Sequence, residues 1–150
     1  MDDIDRTIIS LLSQDARRAL SDIGAHVGLS PSAVNERLRR LVASGAIQRF
    51  TVAVEAQALD LPILAFVWIA LSERADEAAF RAHAAADPQI EECHHVTGEW
   101  SYLVKMRTGS LADLETFLAG LKQQGFLGRS QTVLALSSPV PGVFVPPCAG

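Results

Sequence analysis

Ile4, Ile8, Leu11 and Leu12 fall at i, i+4, i+7 and i+8, behind an acidic start of Asp2, Asp3 and Asp5 that suits a helix N-terminus. The spacing predicts a first helix. Leu20-Ser21-Asp22 offers a serine cap ahead of Ile23, Ala25 and Val27, and Gly28 supplies the stop for a short second helix. Ser30 then caps a third, with Pro31 at the first position, where a missing N–H costs nothing, and Val34, Leu38, Leu41 and Val42 on one stripe up to Gly45. At about 100° per residue, Ser32, Glu36, Arg39 and Arg40 lie opposite that stripe, with Asn35 and Arg37 on its flanks. Two short helices joined by a tight glycine-containing turn, the second polar and basic toward its N-terminal half, match a helix-turn-helix that reads the major groove of double-stranded DNA. Ile47 to Val54 reads as a β segment where a wing belongs, and Arg49 on it reaches toward phosphate. The competing reading is a small helical bundle with no ligand, which has no need of clustered arginines.

From Leu61-Pro62 the pattern changes. Ile63 to Leu71 is apolar without alternation and reads as a strand covered on both faces. A helix follows from Ala75 to Ala86 and is stopped by Pro88. Ile90 to Thr97 and Trp100 to Thr108 form a hairpin around Gly98-Glu99, Ser110 caps another helix ended by Gly125, and a last strand runs from about Ser130 to Leu136. The order βαββαβ predicts a ferredoxin-like sandwich. Two helices cover one face of a four-stranded sheet, so the apolar first strand calls for a further cover, most simply a second copy. Of Val67 and Ile69, one is expected to face that copy and the other the helices. The fold class is thus α+β: a winged helix-turn-helix over 1–60, a βαββαβ effector and oligomerisation domain over 61–138, and a tail over 139–150.

Composition changes the picture little. With 49% hydrophobic and 20% charged positions among 150 residues, the chain is neither disordered, collagen-like nor a disulfide miniprotein. The longest apolar run, broken by Pro62, is far short of the roughly 20 residues a membrane span needs, so no membrane partner is expected. The N-terminus is acidic where a signal peptide is basic, so the chain is expected to stay in the cytoplasm. Cys93 and Cys148 are the two cysteines, without CxxC spacing, and read as ordinary reduced thiols. The net charge of −4 conceals a local excess: across 30–50 four arginines stand against Glu36 alone. All basic residues before Leu61 are Arg, whose planar fork binds phosphate or guanine in two-point fashion. A solvated basic helix face is the alternative on charge alone. The candidate DNA-binding set is Ser30, Ser32, Asn35, Glu36, Arg37, Arg39, Arg40 and Arg49.

Asp5-Arg6 with Ile9 and Leu12, Val27-Gly28-Leu29-Ser30, and Arg37-Leu38-Arg39-Arg40-Leu41 with Gly45 and Ile47 follow one another in the order and spacing of a known DNA-binding half. Over nearly the whole length the chain resembles the Lrp/AsnC, or feast/famine, transcriptional regulators. Val96-Thr97-Gly98-Glu99-Trp100 resembles that family's hairpin at the amino-acid-binding site, and Ser130-Gln131-Thr132 its Thr-x-Thr stretch. The resemblance implies a dimer through the sheets, assembling further to a tetramer or octamer, that senses a small molecule, commonly an amino acid. No metal spacing, Ser/His/Asp set or phosphate-binding glycine loop is evident, so no cofactor, metal or catalytic residue is expected. The implied effector site comprises Thr97, Gly98, Glu99, Trp100, Ser101, Ser130, Gln131 and Thr132. One departure stands out: the family commonly has an acidic residue where this chain has Ser101, a neutral hydroxyl in place of a partner for an α-ammonium group.

Two other classes are weighed. Siroheme decarboxylases share the architecture and use histidine, but His94 and His95 are adjacent on a strand and point to opposite faces. An accessory ligand-sensing subunit that does not touch DNA is the third.

Overall fold

The computed structural model describes residues 1–146 and separates into two compact units, the first Met1–Val52 and the second beginning at Ala53. Unit 1 holds three helices: α1 (Asp3–Gln14), α2 (Leu20–Val27) and α3 (Pro31–Ala43). Asp2 caps α1, its carboxylate accepting from the Asp5 N–H while the Asp5 carboxylate accepts from the Asp2 N–H. This reciprocal pair satisfies two helix-terminal donors at once. Ser30 caps α3 as expected, but α2 begins at Leu20 behind Ala19 with no side-chain cap, so the serine cap at Ser21 is not used. The helices meet through fully buried Ile8, Ile23 and Val34, flanked by Leu12 and Leu41.

Gly24 makes the tight crossing possible. A Cβ built there would sit 2.4 Å from the Leu29 carbonyl oxygen, so only hydrogen fits between α2 and the turn. Gly28, at φ 69°, then takes the left-handed conformation that ends α2. The β segment expected over 47–54 is not formed: up to Val52 the chain lies in a unit that is otherwise helical and offers no strand to exchange hydrogen bonds with, and Val54 bonds instead to the irregular stretch at Phe144.

Unit 2 runs through a short 3-10 turn (Ala56–Leu59), β1 (Ile63–Leu71), α4 (Glu77–Ala86), β2 (Ile90–His95), β3 (Tyr102–Thr108), α5 (Leu111–Gln123) and β4 (Leu127–Leu134). The antiparallel strands lie in the order β2-β3-β1-β4, the expected ferredoxin-like arrangement. Boundaries shift where capping decides them. Asp76 caps α4, so the helix starts at Glu77, and β4 begins at Leu127 rather than Ser130.

Strand parity sets the two faces. Ala65, Val67 and Ile69 are fully buried with Val104, Met106, Phe80, Phe117 and Leu121, whereas Leu64, Phe66, Trp68 and Ala70 lie half-buried on the opposite face. Val67 and Ile69 therefore share the helix side, against the expectation that they would divide, because side chains two apart in a strand point the same way.

The other face carries a charge cluster as well as apolar residues. A bulge between Ile90 and Glu92 brings both Glu91 and Glu92 to Lys105, each at 2.9 Å, and Arg107 Nε lies 2.7 Å from Glu91. Burial works against the Lys105 ammonium, but Glu92 and Glu91 together outweigh it and raise its pKa. The tail returns here: Phe144 is buried, the Arg107 guanidinium stands 5.3 Å from its ring centre, and its carbonyl accepts from the Val54 N–H at 3.0 Å. That bond explains why unit 2 begins at Ala53, eight residues ahead of the Leu61 boundary read from sequence. Cys148 and the end of the tail lie outside the described residues.

A carboxylate at Val67 would be enclosed without a partner, whereas one at Phe66 would face outward beside Lys105, its neighbour across β3. Val67→Asp is expected to destabilise the unit by about 3–5 kcal/mol in denaturant unfolding. Phe66→Asp is expected to keep a cooperative transition, and loss of that transition in both variants would contradict the assignment of faces.

Candidate nucleic-acid interface and effector site

The N-terminal half of α3 is held by its cap. The Ser30 hydroxyl accepts from the Ala33 N–H at 3.3 Å and lies 3.1 Å from the Ser32 hydroxyl. Beyond the cap, Ser32, Glu36, Arg39 and Arg40 are exposed and Asn35 is half-buried, on the side away from Val34 and Leu41. These side chains form a polar, basic strip on one helix face. Arg49 is exposed on the irregular segment that follows.

Arg37 turns away from that strip. Its Nη1 donates to Asp2 Oδ2 and Asp5 Oδ1, both at 2.8 Å, and its side chain keeps only 22% of its exposure. It turns toward α1 because two carboxylates of the α1 cap wait within reach of the α3 flank. Hydrogen bonding from the Asp5 N–H and then from Arg37 holds the Asp2 carboxyl below its ordinary range, and Arg37 does the same for Asp5. Neither charge pattern nor periodicity could place this contact, since its partners are more than thirty residues apart.

In unit 2 the hairpin is pinned by Ser101. Its N–H donates to the Ile69 carbonyl at 2.8 Å, its carbonyl accepts from Val96 at 3.1 Å, and its hydroxyl accepts from the Leu71 N–H at 3.1 Å. Gly98 supplies the positive φ of the turn, and Thr97, Gly98 and Glu99 are exposed. Glu99 is not simply solvated: its Oε2 meets Arg129 Nη2 at 3.0 Å. The Arg129 guanidinium stands 4.3 Å from the centre of the Trp100 ring, which lies 6.5 Å from Trp68. Arg129 was absent from the sequence-derived set, although its place directly before Ser130 on an edge strand is the signal that could have found it.

Register divides the remaining residues. Gln131 lies opposite Trp68, on the open face with Trp100 and Arg129, while Ser130 and Thr132 lie opposite Ile69 and Val67, on the helix side. A single chain therefore brings Glu99, Trp100, Arg129 and Gln131 together and leaves Ser130 and Thr132 apart from them.

The adjacent histidines diverge as expected. His94 approaches Glu92 at 3.0 Å, whereas His95 stacks on Tyr102 with ring centres 5.0 Å apart. His95 also borders an open cleft of about 620 Å³ between α4 and β2, lined with Arg81, Cys93 and Tyr102. The polar groups of that wall engage one another: Arg81 Nε donates to the Tyr102 hydroxyl at 2.6 Å, which donates to Glu77 at 2.6 Å. Partial burial pushes the Cys93 thiol up, away from the reactive thiolate. Among the described residues no group of three or more His, Cys, Asp or Glu gathers to hold a metal ion, and no helix is long and apolar enough to cross a membrane.

Comparison with known proteins matches residues 1–42 to the AsnC-type helix-turn-helix domain and residues 64–143 to the Lrp/AsnC ligand binding domain. The chain belongs to the Lrp/AsnC family. It is 37% identical over 119 residues to the HTH-type transcriptional regulator FL11 of Pyrococcus furiosus, covering 79% of this chain and 78% of that relative. The structure of Bacillus subtilis LrpC superposes with a TM-score of 0.81 at 29% identity, covering 91% of this chain and 95% of LrpC. A Neisseria meningitidis transcriptional regulator, solved with L-Met, shares the fold at a TM-score of 0.85 and 22% identity, with 98% and 96% covered. This Lrp/AsnC chain is a DNA-binding transcriptional regulator with a ligand-binding domain.

The contact between Arg37 and the α1 cap makes this regulator's helical unit sensitive to acid. Carboxyls held below their ordinary value contribute stability that is complete above the unfolded-state pKa and lost as pH falls through the folded-state one. Thermal unfolding of the native chain and of an Asp2→Asn, Asp5→Asn variant, followed from about pH 6 to about pH 3, is expected to show a gap in Tm that closes on acidification. A gap independent of pH would contradict the ion pair.

Proposed function

We propose that α3 enters the major groove and that Ser32, Asn35 and Glu36 face base edges while Arg39, Arg40 and Arg49 meet phosphates. The single observation that supports this most strongly is the exposed strip of Ser32, Glu36, Arg39 and Arg40 on a helix whose other side is locked into the unit 1 core. Ser30 serves the reading indirectly, since its hydroxyl is occupied in capping α3. Two copies joined through the open sheet faces, where Leu64, Phe66, Trp68 and Leu103 stand half-buried, set two such helices on a two-fold site. Higher assembly to a tetramer or octamer fits the same family pattern, and the regulator acts in the cytoplasm.

The effector in this reading is a small carboxylate, an amino acid or a close analogue. Arg129 on Trp100 receives the carboxylate, and Glu99 is the carboxylate placed to meet an α-ammonium group. Ser101, tied to the Leu71 N–H, adds only a neutral hydroxyl where family members commonly carry an acid. Because Ser130 and Thr132 face the other side of β4, their part in a site requires a neighbouring copy.

Arg40→Ala is expected to weaken binding to all DNA sequences and to reduce the slope of log affinity against log salt by about one unit. Replacing Asn35 or Glu36 is expected to change the preferred sequence instead. Mobility shifts across a salt series that leave both quantities unchanged in all these variants, with the fold intact, would remove α3 as the reader. For the effector, calorimetry with matched amino acids and 2-oxo acids is expected to show that Ser101→Asp shifts the preference toward the amino acids. An unchanged ratio would place the ammonium contact elsewhere.

A further inference from the structure

We infer that Arg37 is a positioning residue that fixes the rotation of α3 against α1 and so sets sequence preference without touching DNA. The inference rests on the reading of α3 as the recognition helix. Each carboxylate of the α1 cap has two oxygens and uses them for two tasks. Asp2 accepts the Asp5 N–H on Oδ1 and Arg37 on Oδ2, whereas Asp5 accepts the Asp2 N–H on Oδ2 and Arg37 on Oδ1. The guanidinium thus ties α3 to the backbone-fixed end of α1 at two points.

The apolar contacts of Ile8, Ile23, Val34 and Leu41 hold the helices together but are non-directional, so on their own they tolerate a turn of α3 about its axis. Two charge-assisted bonds at 2.8 Å are directional. Arg37 sits beside Glu36 and one turn from Arg40, so a small rotation would move the whole exposed strip relative to a groove. The same geometry argues against a phosphate contact. Two carboxylates surround one guanidinium, Asp5 with only 13% of its side chain exposed, and an incoming phosphate would meet a net negative site and leave both carboxylates unpaired.

The test uses the full chain, a random-sequence duplex pool, and the variants Arg37→Gln and Asp2→Asn with Asp5→Asn, since asparagine still caps a helix. Salt slope and selected sequence preference are read together, after thermal unfolding has identified the folded variants. A positioning role predicts an unchanged salt slope, a selectivity for the preferred sequence lowered about tenfold, comparable to one bidentate base contact, and no further loss when Arg37→Gln is combined with the aspartate pair. A phosphate role predicts that Arg37→Gln flattens the slope by about one unit and that removing the aspartates tightens binding to every sequence. Either of those results, or an unchanged sequence preference in the folded variants, overturns the inference. If Arg37→Gln does not fold, the aspartate pair decides, because its loss lowers selectivity in the first case and tightens binding to every sequence in the second. Arg40→Ala separates the two levels: a slope unaffected there removes the reading of α3 itself, whereas a slope flattened in both Arg40→Ala and Arg37→Gln removes only the role given to Arg37.

Discussion

The constraint on which unit 2 depends is that β1 is apolar on both faces while the chain supplies two helices for only one. Ala65, Val67 and Ile69 are enclosed by α4 and α5; Phe66 and Trp68 are left half-buried on the other side. Part of that side is treated as a polar surface, with Glu91, Glu92, Lys105 and Arg107 paired among themselves and Phe144 laid beside Arg107. The rest, around Leu64, Phe66, Trp68 and Leu103, is left half-buried and is where the proposed second copy docks. Glu99 and Trp100 of the hairpin and Arg129 of β4 meet on this same face, so in the proposed reading the cover of the sheet and the effector site share one surface.

Unit 1 answers a different requirement. Three short helices bury few residues, and such a small core leaves helix orientation underdetermined. Gly24 allows α2 and its following turn to close within the reach of a single hydrogen atom, and the Asp2, Asp5 and Arg37 cluster adds direction to apolar contacts that have none. Orientation matters because the chemistry of α3 is carried on one strip of its surface.

Most of this was legible in the sequence. Helical spacing located α1 and α3, Ser30-Pro31 marked the start of α3, and the βαββαβ order followed from Ile63 to Leu71 and the later turns. The failures have physical reasons. Ser21 looked like a cap, yet the backbone entered α2 two residues earlier. Ile47 to Val54 has strand-forming residues, but strand formation needs a partner that a helical unit does not contain. The partners of Arg37 were not legible either, because charge is visible in a sequence and a distant carboxylate pair is not. Arg129 was missed for the converse reason, since its contacts Trp100 and Glu99 lie some thirty residues away and are brought to it only by the register of β4 on β1.

In the proposed assembly two copies, joined through unit 2, present two α3 helices to one DNA site. Hydroxyl-radical footprinting of the full chain on a site selected from random duplexes measures this directly. Two protected patches are expected, related by a dyad and separated by about one helical turn, roughly 10 base pairs, or a multiple of it. A single protected patch on a site without two-fold symmetry would contradict it.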